Sequence, residues 1–235
     1  MGLSHSPSIV TNGLVLCLDA GNTKSYNAGI STTAWNDLSG NGRNGTLTNG
    51  PTYSSANGGS IVFDGIDDYA TISAFTYTPY CLDFWVYNKT QITANNGSMG
   101  GPGAQPYQTL FRNLTNVQLN LGGWTGVATN ETLHILSGGK YTYINQTIPI
   151  GFHNWVYNWN GSNYDIWVDG VKKTAIAGST GHASLTQQSS TNYIAYNAGT
   201  YYFYGNIYYI KVYGSQITDS QVQQNFNALR GRFGI

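Results

Sequence analysis

In 235 residues the chain carries only 9% charged side chains, ten basic against ten acidic, where an ordinary domain carries about 25%. Without a basic excess it lacks what a phosphate-tracking nucleic-acid binder or an anionic membrane surface requires. A single glutamate, Glu131, excludes two-glutamate acid–base catalysis and surface helices laced by Glu–Lys pairs.

Residues 1–12 read as an N-terminal arm. It has neither the basic nor the apolar region of a signal peptide, and Pro7 opposes a helix there. Residues 13–235 read as one domain. Asn-Gly at 12, 41, 44, 49, 57, 96 and 160, and Asp-Gly at 64 and 169, mark tight turns. Between them the sequence predicts short strands rich in β-branched and aromatic residues. These begin with Leu14–Asp19, Ser60–Phe63, Tyr69–Ile72, Leu82–Tyr87, Thr109–Phe111 and Val117–Leu121. They continue with Thr132–Leu136, Tyr141–Ile144, Asn154–Asn158, Tyr164–Val168, Val171–Ala175, Thr191–Tyr196 and Ile207–Tyr213. Such spacing indicates an all-β sandwich or barrel. No run approaches the roughly 18 apolar residues of a membrane span.

The segment from Ala94 to Pro106 reads as a long loop. In the hairpin Tyr164–Lys173, alternation sends Ile166 and Val168 to the core and Asp165 and Trp167 outward, with Asp169-Gly170 as the turn. One helix is predicted at about 218–229. Thr218 and Gln221 form its capping box, Val222, Phe226 and Leu229 share a face, and Gly231 is the expected stop. Cys17 and Cys81 lie in apolar runs and are expected to be buried free thiols, consistent with folding in a reducing cytoplasm.

Catalytic constellations do not emerge. Asp67 and Asp68, adjacent on a strand, would point to opposite faces and could not act as a carboxylate pair. The four histidines fall in no nucleophilic or zinc pattern. The loops Asp37–Gly42 and Asp64–Asp68 are rich in hard oxygen donors, so Asp37, Asp64 and Asp67 are candidate ligands of one structural Ca2+; turn chemistry explains the same residue types. Aromatic density at Tyr201–Tyr204 and Ile207–Tyr213 exceeds one core face. Exposed rings, Trp167 and Tyr208 among them, are candidates for stacking on sugars.

Several segments together resemble the laminin-G-like branch of the concanavalin A-like jelly rolls. They are Gly13–Ala20, Trp35–Leu47, Ile61–Tyr69, Leu82–Tyr87, Phe152–Asn160 with Ile166–Gly170, and Gly205–Tyr213. The resemblance implies two antiparallel sheets, a frequent structural calcium, and glycan or protein ligands at a rim or sheet face. Where many relatives carry acidic residues in the last strand, Tyr208 and Tyr209 stand here, which counts against the ion. The ending Gln224–Ile235 resembles a subset found in tailed phages, notably those of cyanobacteria. It implies a non-enzymatic virion surface protein, a capsid decoration or tail-fibre module made in the host cytoplasm. Its expected partners are other virion proteins, further copies of itself and surface glycans, with no nucleic acid and no membrane. The alternative is a lectin module for host receptor recognition.

Overall fold

The computed structural model describes residues 7–92, 107–113, 117–122, 133–137, 140–177, 187–197 and 199–235. The segment from Ala94 to Pro106 lies outside them. In chain order the strands are β1 (Leu14–Asp19), β2 (Ala34–Trp35), β3 (Gly45–Thr48), β4 (Thr52–Ser54), β5 (Ser60–Asp64), β6 (Tyr69–Ile72), β7 (Cys81–Asn88), β8 (Gln108–Asn113) and β9 (Val117–Leu121). They continue with β10 (Leu133–Ser137), β11 (Lys140–Ile144), β12 (Gly151–Trp159), β13 (Tyr164–Val168), β14 (Val171–Lys173), β15 (Ile176–Ala177), β16 (Asn192–Ile194) and β17 (Tyr204–Tyr213). One helix, α1 (Asp219–Phe233), follows.

Among the described residues the strands form two antiparallel sheets. The first runs β14-β13-β12-β7-β17-β5-β4, with β1 also pairing β17; the second runs β15-β11-β10-β9-β8-β16-β6-β3-β2. Most spatial neighbours are not consecutive in sequence, as in a jelly-roll sandwich. Leu82, Phe84, Val86, Trp155, Tyr157, Ile166, Ile207 and Ile210 of the first sheet meet Ala70, Ile72, Phe111, Leu119, Leu121 and Ile194 of the second in one core.

The central strands of the first sheet are buried on both faces. Its outer side carries Cys17, Trp85, Tyr208 and Tyr209, packed under Phe226 and Phe233 of α1. Alongside, Cys81, Val156, Trp167 and Tyr213 pack with Val10, Ile217 and Val222. A bulge in β17 supports this arrangement. Its register against β7 jumps between Ile207 and Tyr209, so the consecutive rings Tyr208 and Tyr209 both reach the outer cluster. Cys17 and Cys81 are buried free thiols, as expected.

Helix α1 begins at the expected capping box of Thr218 and Gln221. It passes through Gly231 and ends one turn later, where Gly234 (φ 71°) closes it in the left-handed conformation. The extra turn places Phe233 on the Trp85 ring at 4.7 Å, a burial that an end at Gly231 would forfeit. Described residues of the arm dock on this helix. Val10 N–H donates to Asn225 Oδ1, Asn225 Nδ2 to Tyr213 Oη, and Tyr213 Oη to the Val10 carbonyl, closing a ring of buried hydrogen bonds at 2.8, 2.9 and 2.8 Å.

Candidate functional site

The two rings expected to meet a ligand are not on the surface. Trp167 and Tyr208 are 4% and 2% exposed. Both point away from the sandwich core, Trp167 by alternation and Tyr208 through the β17 bulge, but α1 and the residues beside it form a third layer over them. Stacking on a sugar is therefore closed to both.

The Asp37 carboxylate is likewise committed to protein donors. Its Oδ1 accepts the N–H groups of Cys17 and Ser39, each at 2.9 Å. Its Oδ2 accepts from Ser39 Oγ at 2.7 Å and Arg43 N–H at 3.1 Å. Four donors use up the acceptor capacity of one carboxylate, which here ties the 37–43 loop to β1.

Asp64 and Asp67 do come together, and Asp68 joins them, with one carboxylate oxygen of each within 4.8 Å of the others. Residues 65–67 form a bend rather than a strand, so Asp67 and Asp68 do not diverge across a pleat. The bend is held by Asp64 Oδ1, which accepts from Ile66 N–H at 2.8 Å and Asp67 N–H at 3.3 Å, and by Asp68 Oδ2, which accepts from Asp64 N–H at 3.0 Å. Burial pushes the Asp68 carboxyl up to about 6; the Asp64 N–H opposes the shift, and the Asp64 and Asp67 charges add to it. The remaining carboxylate oxygens are a hard donor set of the kind calcium takes.

Beside this turn lies a cluster of partly exposed tyrosines. Tyr196 is central, with ring centroids 5.1 Å from Tyr69, 5.1 Å from Tyr193 and 5.4 Å from Tyr202. Asp67 is close enough to raise the Tyr202 phenol, after burial and Tyr196. Tyr69 and Tyr193 project from β6 and β16 on the side opposite the core residues Ala70, Ile72 and Ile194. Tyr196 reaches the same side because the buried Ala195 takes a left-handed conformation (φ 65°) and turns the chain back. Its backbone is fixed there, with Ala195 N–H donating to the Leu110 carbonyl at 3.0 Å and its carbonyl accepting from Phe203 N–H at 3.1 Å.

From the cluster a row of residues crosses the outer face of the second sheet in register: Thr46, Thr71, Tyr193, Arg112 and Gln118. All five are exposed or partly exposed. The first sheet thus presents a sealed outer face and the second a polar face with rings at one end. Sequence density of tyrosine pointed to Tyr202 and its neighbours; residues as far apart as Tyr69 and Tyr202 are joined only by the sheet topology.

The hairpin residue Asp169 (φ 52°) makes the turn with Gly170 and also braces β12. Its Oδ2 lies 2.8 Å from His153 Nδ1 and its Oδ1 accepts from Asn154 N–H at 2.8 Å. The other His153 nitrogen meets the Pro149 carbonyl at 3.0 Å, so the imidazole is engaged on both sides.

No protein-family model and no curated protein matches the chain. Solved structures do. Domain 4 of AbnA, a GH43 extracellular arabinanase from Geobacillus stearothermophilus solved with arabinotriose, has a TM-score of 0.60 at 18% identity, covering 90% of this chain and 97% of that one. The receptor-binding domain of a botulinum neurotoxin C/D mosaic serotype gives 0.59 at 9%, covering 92% of this chain and 51% of its own. A Trypanosoma rangeli sialidase gives 0.58 at 13%, covering 98% and 36%. The chain thus spans about half of the neurotoxin domain and about a third of the sialidase. At these identities the shared feature is the fold: this chain is a two-sheet jelly-roll sandwich with one C-terminal helix.

Proposed function

We propose that the chain is a non-catalytic carbohydrate-binding module displayed on a phage virion. The observation behind the binding reading is the contrast between the two outer faces. With the first sealed by α1, the second offers tyrosine rings for the C–H faces of a sugar, and threonine, arginine, glutamine and aspartate groups for its hydroxyls. A structure of the same fold solved with arabinotriose, and larger ones that contain the fold solved with SialylT and with sialic acid, support saccharide as the ligand class.

The virion setting rests on the resemblance of Gln224–Ile235, and the near-neutral composition suits dense packing among other virion subunits and further copies of the chain. The structural calcium implied by the resemblance would be held by Asp64, Asp67 and Asp68, whose donor set fits it. A glycan array probed with the full chain tests the binding. Binding to a defined saccharide that falls at least tenfold in Tyr196→Ala, with the fold intact, is expected; a blank array, or hydrolysis of the bound saccharide, overturns it. Antibody labelling of purified phage particles tests the setting separately, and unlabelled particles overturn that part alone.

A further inference from the structure

A second recessed surface lies on the far side of the acidic turn from Tyr202, at the edge of the sandwich where the chain crosses from β3 in one sheet to β4 in the other. It is a cleft of about 400 Å3 lined by residues that include Tyr26, Thr33, Leu47, Asn49, Thr52 and Tyr53. We propose that this cleft is a separate saccharide site, selective for a neutral sugar ring.

Three features carry the assignment. The first is a fixed aromatic wall: Tyr53, 39% exposed, stacks on the buried Tyr26 at 5.2 Å and 29°. A ring held flat by a second ring offers a platform whose ordering cost is already met in the free protein. The second is the distribution of polar groups. Leu47 and Pro51 are buried and apolar, whereas Thr32, Thr33, Thr52 and Asn49 are exposed and bring hydroxyls and an amide. Asn49, held at φ 68° in the crossover, donates its Nδ2 to the Asp67 carbonyl at 2.9 Å, which leaves Oδ1 facing acceptor work for a ligand hydroxyl. The third is the absence, among the described lining residues, of any charged side chain. A sialic acid or uronic acid carboxylate would lose its hydration and gain no cation, whereas a neutral pyranose or furanose loses nothing of that kind. The volume lies in the range of ordinary small-molecule sites and accommodates one or two sugar rings.

This inference shares with the reading above only its ligand class, and it stands on different residues, so one titration separates the two. Backbone amide NMR of the full chain is followed while methyl β-glucopyranoside, methyl α-arabinofuranoside or N-acetylneuraminate is added. The expected result is saturable shifts at Thr33, Asn49, Thr52 and Tyr53 with at least one neutral glycoside and none with N-acetylneuraminate. Affinity should fall about tenfold in Tyr53→Ala and recover only partly in Tyr53→Leu, a variant that keeps apolar bulk. Shifts confined to Thr71, Tyr193 and Tyr196 overturn the cleft and leave the sheet-face reading standing. Shifts with neither glycoside, equal shifts with the anionic sugar, or unchanged affinity in both Tyr53 variants overturn it as well.

Discussion

Asp83 and Lys211 lie 2.8 Å apart on the outer face of the first sheet, with side chains 1% and 0% exposed. Asn154 Nδ2 donates to Asp83 Oδ1 at 2.8 Å, while Lys211 Nζ has no aligned hydrogen-bond acceptor and sits 4.8 Å from the Tyr209 ring centroid. The lysine is therefore held mainly by charge, in a site buried from solvent. Removing one partner strands the other. Lys211→Met should cost about 3–5 kcal/mol, and the double variant Asp83→Leu/Lys211→Met should recover most of it. Urea unfolding of the three proteins measures both; a loss under about 1 kcal/mol in the single variant would show that water reaches the pair.

The β13–β14 turn is where the helix touches the hairpin. Gly170 has φ 73°, and a Cβ there would lie 2.6 Å from Phe226 Cδ1. Gln223 Nε2 also donates to the Gly170 carbonyl. Gly170→Ala combines a disfavoured backbone with a clash against the helix and should cost about 2–4 kcal/mol. Gly161, also at positive φ (104°) but with open space where a Cβ would sit, should lose only the backbone part, about 1 kcal/mol, on change to Ala. Equal losses in the two variants would show that Phe226 does not press on the turn.

Local pattern carries the sandwich well, because strands with one face on the core must alternate. Leu14–Asp19, Tyr69–Ile72, Val117–Leu121 and Tyr164–Val168 have the same bounds in sequence and structure. The short strands Gly45–Thr48 and Thr52–Ser54 carry too few apolar residues to show alternation in the sequence and are visible only through their pairing with β6 and β5. Alternation also sends Trp167 outward correctly, yet whether an outward residue meets water depends on a third layer built much later in the chain by Val222. At Tyr208 even the parity fails, because a bulge is a property of the pairing with β7. The acidic turn is half legible for a similar reason: Asp64 and Asp67 follow from turn spacing, while Asp68 joins them only because residues 65–67 leave the pleat.

Ala195 offers a separation of stability from binding. A non-glycine residue at φ 65° stores about 1–2 kcal/mol. Ala195→Gly releases it at an entropic cost of about 0.5–1 kcal/mol and at the loss of a buried methyl worth about 0.8 kcal/mol. The variant should therefore be close to the parent in stability, yet hold Tyr196 less firmly and bind saccharide more weakly. Thermal melts with parallel affinity measurements separate the two effects; equal affinity would show that the Tyr196 position does not depend on this kink.

Alkaline pH should unfold the chain earlier than its neutral stability implies. Burial pushes the Cys17 thiol up from 9.0 to about 11, a shift the hydrogen bond with Tyr209 opposes. Burial also raises Cys81 and the Tyr77, Tyr157 and Tyr213 phenols. Each of these acids binds its proton more tightly when folded. Their stabilising contribution is whole below the unfolded values of 9.0 and 10.0 and is lost as pH rises past them. Urea midpoints measured from pH 7 upward should hold level and then fall, with thiol alkylation tracking unfolding. A level midpoint through pH 11 would contradict the burial of these groups.

The two acidic loops should respond differently to calcium. Asp64, Asp67 and Asp68 converge with oxygens to spare, whereas the Asp37 carboxylate is filled by four protein donors. An ion that binds only the folded chain adds about 2.7 kcal/mol at a hundred times its Kd, which for a domain of this size is roughly 5–10 °C in Tm. Asp64→Asn/Asp67→Asn should abolish that rise while changing the metal-free Tm little, since Asn keeps the acceptor for the Ile66 N–H. Asp37→Asn should do the reverse. Replacing one oxygen by an NH2 group sets a donor against either the Ser39 hydroxyl and Arg43 N–H or the Cys17 and Ser39 N–H groups, so the metal-free Tm falls and the calcium response persists. Calorimetric scans of the three proteins with and without calcium distinguish the loops; a parent Tm indifferent to calcium removes the ion from the acidic turn.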